Sequence, residues 1–301
     1  MPIVVNGTTL TGGKVGNTDI TKVYARNGIT GNYILVFEKG GGGGTTMALF
    51  FGGNWKMNNL KADIDTYFST FNSALELNES KKVVIFPPAC YLDYVKSKIS
   101  SNLRNMVRVG AQMIANETRG AFTGQLSVNM VKDCGCTDVL VGHSECRAYL
   151  GVTNEDCNKQ VLQGLSAGLT VWLCVGETLE IREAGTYEAY IKTQLQEALS
   201  GVSTDFLNSG KVVINYEPIW AIGTGKTCSP EQANQMCGII RQWVSNYYNS
   251  SAGKATEIVY GGNVKVTNIE EIMAKPDING TLVGGASLKP ADFAEIINIV
   301  M

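Results

Sequence analysis

The sequence predicts an α/β chain, a closed (β/α)8 barrel preceded by a small β-hairpin-rich N-terminal segment. Eight apolar strand-like runs alternate with stretches of helical periodicity after a run of five glycines. About 250 residues is the length over which eight such units close a barrel. The residues before the glycines have another texture, short β-prone runs separated by tight-turn dipeptides.

In chain order, Ile3-Val4-Val5, Lys22-Val23-Tyr24-Ala25 and Tyr33-Ile34-Leu35-Val36-Phe37 are the β-prone runs, with Asn6-Gly7, Thr11-Gly12-Gly13, Asn27-Gly28 and Gly31-Asn32 as turns. Asn6-Gly7-Thr8-Thr9 and Asn27-Gly28-Ile29-Thr30 form a faint repeat. A piece of about 40 residues buries little surface, so it is expected to lean on another surface or to self-associate. Gly40 to Gly44 and Thr45-Thr46 offer almost no side chains for a core and read as a linker. The expected division is residues 1–39, an extension of unknown role; 40–46, the linker; and 47–301, the barrel.

The expected barrel strands are Ala48–Phe51, Val83–Phe86, Val107–Gly110, Val139–Val141, Thr170–Cys174, Val212–Tyr216, Glu257–Tyr260 and Thr281–Val283. Between them Ile64, Phe68, Phe71 and Leu75 repeat at helical spacing, as do Tyr190, Leu195 and Leu199. Ser229-Pro230-Glu231 opens a further helix as a cap followed by proline. A doubly wound open sheet is the alternative. It is disfavoured because the first unit has no G-x-G-x-x-G turn and eight repeats close more naturally than they lie flat.

With 25 basic against 27 acidic residues, the chain has no general attraction for nucleic acid or acidic membranes. The start lacks a basic segment leading into an apolar one, and no apolar run is long enough to span a bilayer, so a cytoplasmic protein with a small-molecule partner is expected. The eight cysteines are scattered, only Cys134 and Cys136 are close, and there is one histidine, which argues for free thiols and against a metal site.

Four motifs end strand-like runs: Asn54-Trp55-Lys56, His143 within Val141-Gly142-His143-Ser144-Glu145, Tyr216-Glu217-Pro218, and Val283-Gly284-Gly285. In a barrel these ends share one rim, so a cation, an imidazole, a carboxylate and a glycine pair can meet in one pocket. After Glu217, Ile219–Lys226 is apolar and then glycine-bearing, the composition of a loop that closes over a ligand and strengthens a carboxylate base by drying it. Gly261-Gly262-Asn263 and Gly284-Gly285-Ala286-Ser287 follow the last two strands, where backbone N–H groups often cradle phosphate.

With these residues in view, the chain from about Ala48 to Met301 resembles triosephosphate isomerase throughout. Gly53–Asn58, Gly142–Glu145, Tyr216–Lys226, Tyr260–Gly262 and Leu282–Leu288 match that family's motifs in order. The resemblance implies a TIM barrel that interconverts dihydroxyacetone phosphate and D-glyceraldehyde 3-phosphate in glycolysis and gluconeogenesis, with no cofactor. It implies Glu217 as the base, a neutral His143 polarising the carbonyl, and Lys56 with Asn54 steadying the enediolate. It further implies Gly223, Asn263, Gly284 and Gly285 as phosphate ligands, Ile222 and Leu282 as an apolar clamp, and a homodimer through the loop around Phe122 and Thr123.

The sequence departs from the family at a few places. Asn263 replaces a usual serine, Gln112-Met113 a glutamine-asparagine pair, and Gln125 a glutamate; Ile181 and Cys228 also differ. Two other readings compete with the isomerase. A sugar-phosphate epimerase would want metal ligands or a second acid/base pair that a single-histidine chain does not show. The N-terminal piece, whose texture weakly resembles small β-rich modules at the ends of viral structural proteins, reads either as a docking or assembly module or as a fusion segment without a catalytic role.

Overall fold

The computed structural model describes residues 48–76, 78, 80–222 and 224–300 in full and, before them, the backbone of six short strands. The proposed linker, residues 40–46, and Gly223 lie outside the described residues. The six strands pair antiparallel in twos: Ile3–Val5 with Thr8–Leu10, Lys14–Val15 with Thr18–Asp19, and Lys22–Arg26 with Tyr33–Glu38. The three runs expected from β-propensity are there, and Thr8–Leu10, Lys14–Val15 and Thr18–Asp19 come in addition.

From Ala48 onward eight parallel strands close into a barrel: Leu49–Asn54, Lys81–Phe86, Val107–Ala111, Asp138–Val141, Thr170–Gly176, Val212–Glu217, Glu257–Tyr260 and Gly280–Val283. They pair in chain order, and the eighth returns to the first with Gly280 opposite Phe50 and Val283 opposite Gly53. Because strand side chains alternate, one set fills the barrel and the other meets the helices. Phe50, Val84, Phe86, Leu140, Trp172, Val213 and Leu282 form the inner cluster, whereas Phe51, Val83, Ile85, Val139, Val171 and Ile214 belong to the outer core.

The Trp172 indole packs edge-on against Phe50 and Phe86, at 5.8 and 5.4 Å between ring centroids. That filling leaves no room for a Cβ at Gly52, which would stand 2.6 Å from the Leu282 side chain, or at Gly110, 2.3 Å from the Phe86 ring. The fourth strand starts one residue before the expected run, at Asp138, a fully buried carboxylate. Periodicity misses it because a charge there is tolerable only when paired. Asp138 accepts from Arg108 Nη2 at 2.9 Å, Trp172 Nε1 at 3.0 Å and Thr137 Oγ1 at 2.6 Å.

Helix Lys61–Ala74 buries Ile64, Tyr67, Phe68 and Phe71, and Phe71 stacks on Phe293 of the last helix, Pro290–Ile299, so the outer ring closes on itself. The expected cap holds in detail. Ser229 Oγ accepts the Gln232 N–H at 3.2 Å, Gln232 Oε1 accepts the Ser229 N–H at 2.9 Å, and Pro230 is the first residue of helix Pro230–Tyr247. The expected apolar face Tyr190, Leu195, Leu199 needs correction: helix Tyr187–Ala198 buries Ile191, Gln194, Leu195 and Ala198, while Tyr190 is exposed. Tyr190 sits one position, about 100° of helical rotation, from Ile191 and so turns outward.

Candidate active site

The first barrel strand ends at Asn54, and two residues later Lys56 adopts φ +52°, a left-handed conformation that costs a non-glycine residue about 1–3 kcal/mol. Two contacts hold it there. Asn54 Oδ1 accepts the Lys56 N–H at 3.0 Å, and Gln112 Nε2 donates both to the Lys56 carbonyl and to the Phe86 carbonyl at 2.9 Å each. The Lys56 ammonium meets Glu145 Oε1 at 2.6 Å in a half-exposed pair.

On the fourth strand, Gly142 at φ +70° turns the chain so that His143 becomes the N-cap of helix Ser144–Leu150. Its Nδ1 accepts the Glu145 N–H at 3.2 Å, which leaves the ring proton on Nε2. Nε2 faces Glu217 Oε1 at 2.9 Å, and Glu217 Oε2 accepts the Ser144 N–H at 2.9 Å. Both side chains are buried, Glu217 to 2 % exposure and His143 to 7 %.

Burial pushes the Glu217 pKa up, but the imidazole and the Ser144 donors overcome it and hold the carboxyl below its ordinary value. For His143 burial works downward, and the Glu217 carboxylate, followed by Glu145, outweighs it and raises the imidazole pKa. The carboxylate and the imidazole thus satisfy one another.

Glycines after the seventh and eighth strands line the same cleft. Gly284 caps the 3₁₀ turn Gly285–Leu288 that follows the last strand. A Cβ at Gly285 would meet nothing within 4 Å, and one at Gly284 only Lys56 Cε at 3.7 Å, so these two glycines present open space beside the lysine. Asn263, after the seventh strand, is exposed and lines the same cleft, with its carbonyl taken by Asn268 Nδ2 at 2.9 Å. Asn54, Lys56, His143, Glu217, Ile222, Asn263, Leu282, Gly284 and Gly285 all line one cavity of about 1010 Å³. Of the ten residues singled out in the sequence, only Gly223 falls outside the described residues.

Several side chains that build the site were given no role from the sequence. Gln112, Ser144 and Glu145 set the lysine and the imidazole as above. Glu177 ends the fifth strand's turn fully buried, its Oε1 accepting from Tyr216 Oη and Trp220 Nε1 at 2.9 Å and from Arg182 Nη1 at 3.1 Å. It pins Trp220, at the root of the loop after Glu217, and burial raises its pKa despite these donors. Nothing in the sequence around Glu177 marks it, since its partners lie five to 43 residues away.

Among the described residues no group of histidine, cysteine or carboxylate side chains is arranged to hold a metal ion, and no helix is long and apolar enough to cross a membrane. All eight cysteines are free. Glu117 to Gln125 form an exposed loop in which Phe122 is 44 % accessible.

Compared with known proteins, residues 49–300 match the sequence pattern of the family described as triosephosphate isomerase. The triosephosphate isomerase of Taenia solium is 41% identical over 253 residues, covering 84% of this chain and 98% of that protein.

Proposed function

We propose a division of labour within the cleft on the premise that the chain belongs to the triosephosphate isomerase family and interconverts dihydroxyacetone phosphate and D-glyceraldehyde 3-phosphate. Glu217 takes a proton from the carbon bearing the free hydroxyl, and the electron pair of that C–H bond forms the double bond of an enediolate. The same carboxyl returns the proton to the neighbouring carbon. His143 donates its Nε2 proton toward the carbonyl oxygen and passes a proton between the two oxygens, while Lys56 and Asn54 offset the negative charge.

The observation that carries this reading is the 2.9 Å contact between His143 Nε2 and Glu217 Oε1 in a cleft that Lys56, Gly284 and Gly285 also line. The phosphate lies on the N–H groups of Gly223, Gly284 and Gly285 and on the Asn263 amide, at the start of a short helical turn. Ile222 and Leu282 cover Glu217 when the loop shuts. Removing water raises the basicity of the carboxylate, because its charged form loses solvation. Acid/base pairing and loop gating of this kind are established features of the family.

A cytoplasmic homodimer is the expected working form. Exposed apolar side chains support the association, namely Met57 at 94 %, Tyr149 at 81 % and Leu150 at 64 % besides Phe122. The eight free thiols suit a reducing compartment. Residues 1–39 form an extension apart from catalysis, joined by the linker 40–46 and suited to docking or assembly. The test is a coupled assay of the two triose phosphates with wild type, Glu217→Asp and His143→Gln. Drawing the carboxylate back by one methylene, about 1 Å, is expected to cost about 10²-fold in kcat. Both variants retaining wild-type kcat refutes the assignment.

A further inference from the structure

We infer that Arg147 is the positioning residue for His143, acting through a polar relay that ends on the outer helices. This rests on the role given to His143 above. Arg147 lies in the helix that His143 caps, and its guanidinium folds back toward the strand end. Nε donates to the Gly142 carbonyl at 2.8 Å, and the Arg147 backbone N–H donates to the His143 carbonyl at 3.1 Å. Both peptide groups that flank the imidazole's Cα are therefore held by one residue.

Two further bonds fix the guanidinium itself. Nη1 donates to Asn154 Oδ1 at 2.6 Å and Nη2 to the Cys174 carbonyl, on the neighbouring fifth strand, at 3.4 Å. Asn154 opens helix Asn154–Ser166, and its Nδ2 donates to Glu197 Oε2 at 2.7 Å on helix Tyr187–Ala198. Arg147 thus ties the rim of two strands to two helices behind them.

The packing leaves the turn no alternative place. At Gly142 a Cβ would stand 2.6 Å from Cys157 Sγ and 2.8 Å from Arg147 Nη2, so the guanidinium and the thiol together fill the space under the turn. Gly142 at φ +70° needs its carbonyl anchored, because a glycine without a tether has several other wells to visit. Only a planar fork reaches three acceptors in different directions at once, and a lysine in its place can satisfy one or two.

The consequence concerns chemistry more than binding. The glycine turns proposed for phosphate lie on the seventh and eighth strands, away from Arg147, whereas a tilt of the imidazole displaces Nε2 from the line on which it meets the substrate oxygen. Misplacement of about 1 Å costs up to about 10²-fold in rate.

The experiment measures kcat, KM and the inhibition constant of inorganic phosphate for the full-length protein carrying Arg147→Lys, Asn154→Ala or both, with His143→Gln alongside and melting curves for each. Expected for Arg147→Lys is a kcat lower by roughly 10- to 100-fold with KM and phosphate inhibition within about twofold of wild type. Asn154→Ala, the milder change, lowers kcat in the same pattern by less, and the double variant is no worse than Arg147→Lys, since the asparagine acts through the arginine. The inference is overturned if kcat is unchanged in both single variants, if KM and phosphate inhibition weaken as much as kcat falls, or if the two effects multiply. If His143→Gln itself leaves kcat intact, the failure belongs to the role of the imidazole and takes the inference with it; a loss there with an inert Arg147→Lys refutes the inference alone.

Discussion

Replacing Glu257 by glutamine should stabilise the protein near neutral pH, by an amount that grows as pH rises from the acid range. Glu257 is the first residue of the seventh strand, 7 % exposed, and its Oε2 meets no donor. The neighbouring cation is Arg241, but its donors are spent: Nε on Asp277 Oδ1, Nη1 on the carbonyls of Gly253 and Thr256, Nη2 on the Asp277 carbonyl and Asn279 Oδ1. Burial therefore dominates over the Arg241 charge, and the carboxyl pKa is raised from 4.5 to about 8. Below the unfolded value both states are protonated and the group is neutral toward stability. Between that value and the folded one the unfolded chain is ionised and the folded chain is not, so stability falls as pH rises. At about 1.4 kcal/mol per pH unit the loss reaches roughly 3 kcal/mol at pH 7. Glutamine escapes it but leaves one amide hydrogen pair without an acceptor, at about 1 kcal/mol. Urea unfolding at fixed protein concentration from pH 4.5 to 8.5 reads the outcome as the variant's stability minus that of the wild type, in which every other titrating group cancels. The expected difference starts slightly negative at acid pH and climbs to roughly +2 kcal/mol near neutrality. A difference that stays flat across the range would falsify the premise that this carboxyl is neutral in the fold.

Two other outcomes test the organisation of the chain. Deleting residues 1–44 should leave kcat and KM within about twofold, since every group proposed to touch substrate lies past the linker; loss of turnover in a truncated chain that still melts cooperatively would show that the separation is wrong. Phe122→Asp, which puts a charge on the exposed loop, should move the sedimenting species from two copies toward one and lower activity with it, because an apolar contact buried between copies does not tolerate an unpaired carboxylate. A variant that sediments unchanged removes the loop from the interface.

What was legible in the sequence follows from how each feature is encoded. Strand number and barrel closure were readable because alternating burial writes itself locally: Val83-Val84-Ile85-Phe86 contributes to both faces of the wall within four residues. The convergence of the candidate groups was readable too, since a closed parallel barrel sends every strand end to one rim, so that Lys56, His143 and Glu217 needed only their positions after strands to be brought to one cavity. The polar residues behind them were not. Glu177, Gln112 and Arg147 derive their roles from carbonyls, ring N–H groups and amides contributed by strands and helices far along the chain, and a lone glutamate, glutamine or arginine carries no local sign of such partners. Asp138 and Glu257 show the same limit in sharper form. Each is the first residue of an apolar strand and buried, yet Asp138 is reached by Arg108 and Trp172 while Glu257 faces an arginine already committed elsewhere. Burial pushes both carboxyl pKa values up, but Asp138 is met by three donors whereas Glu257 Oε2 has none, and that difference exists only once the barrel has closed.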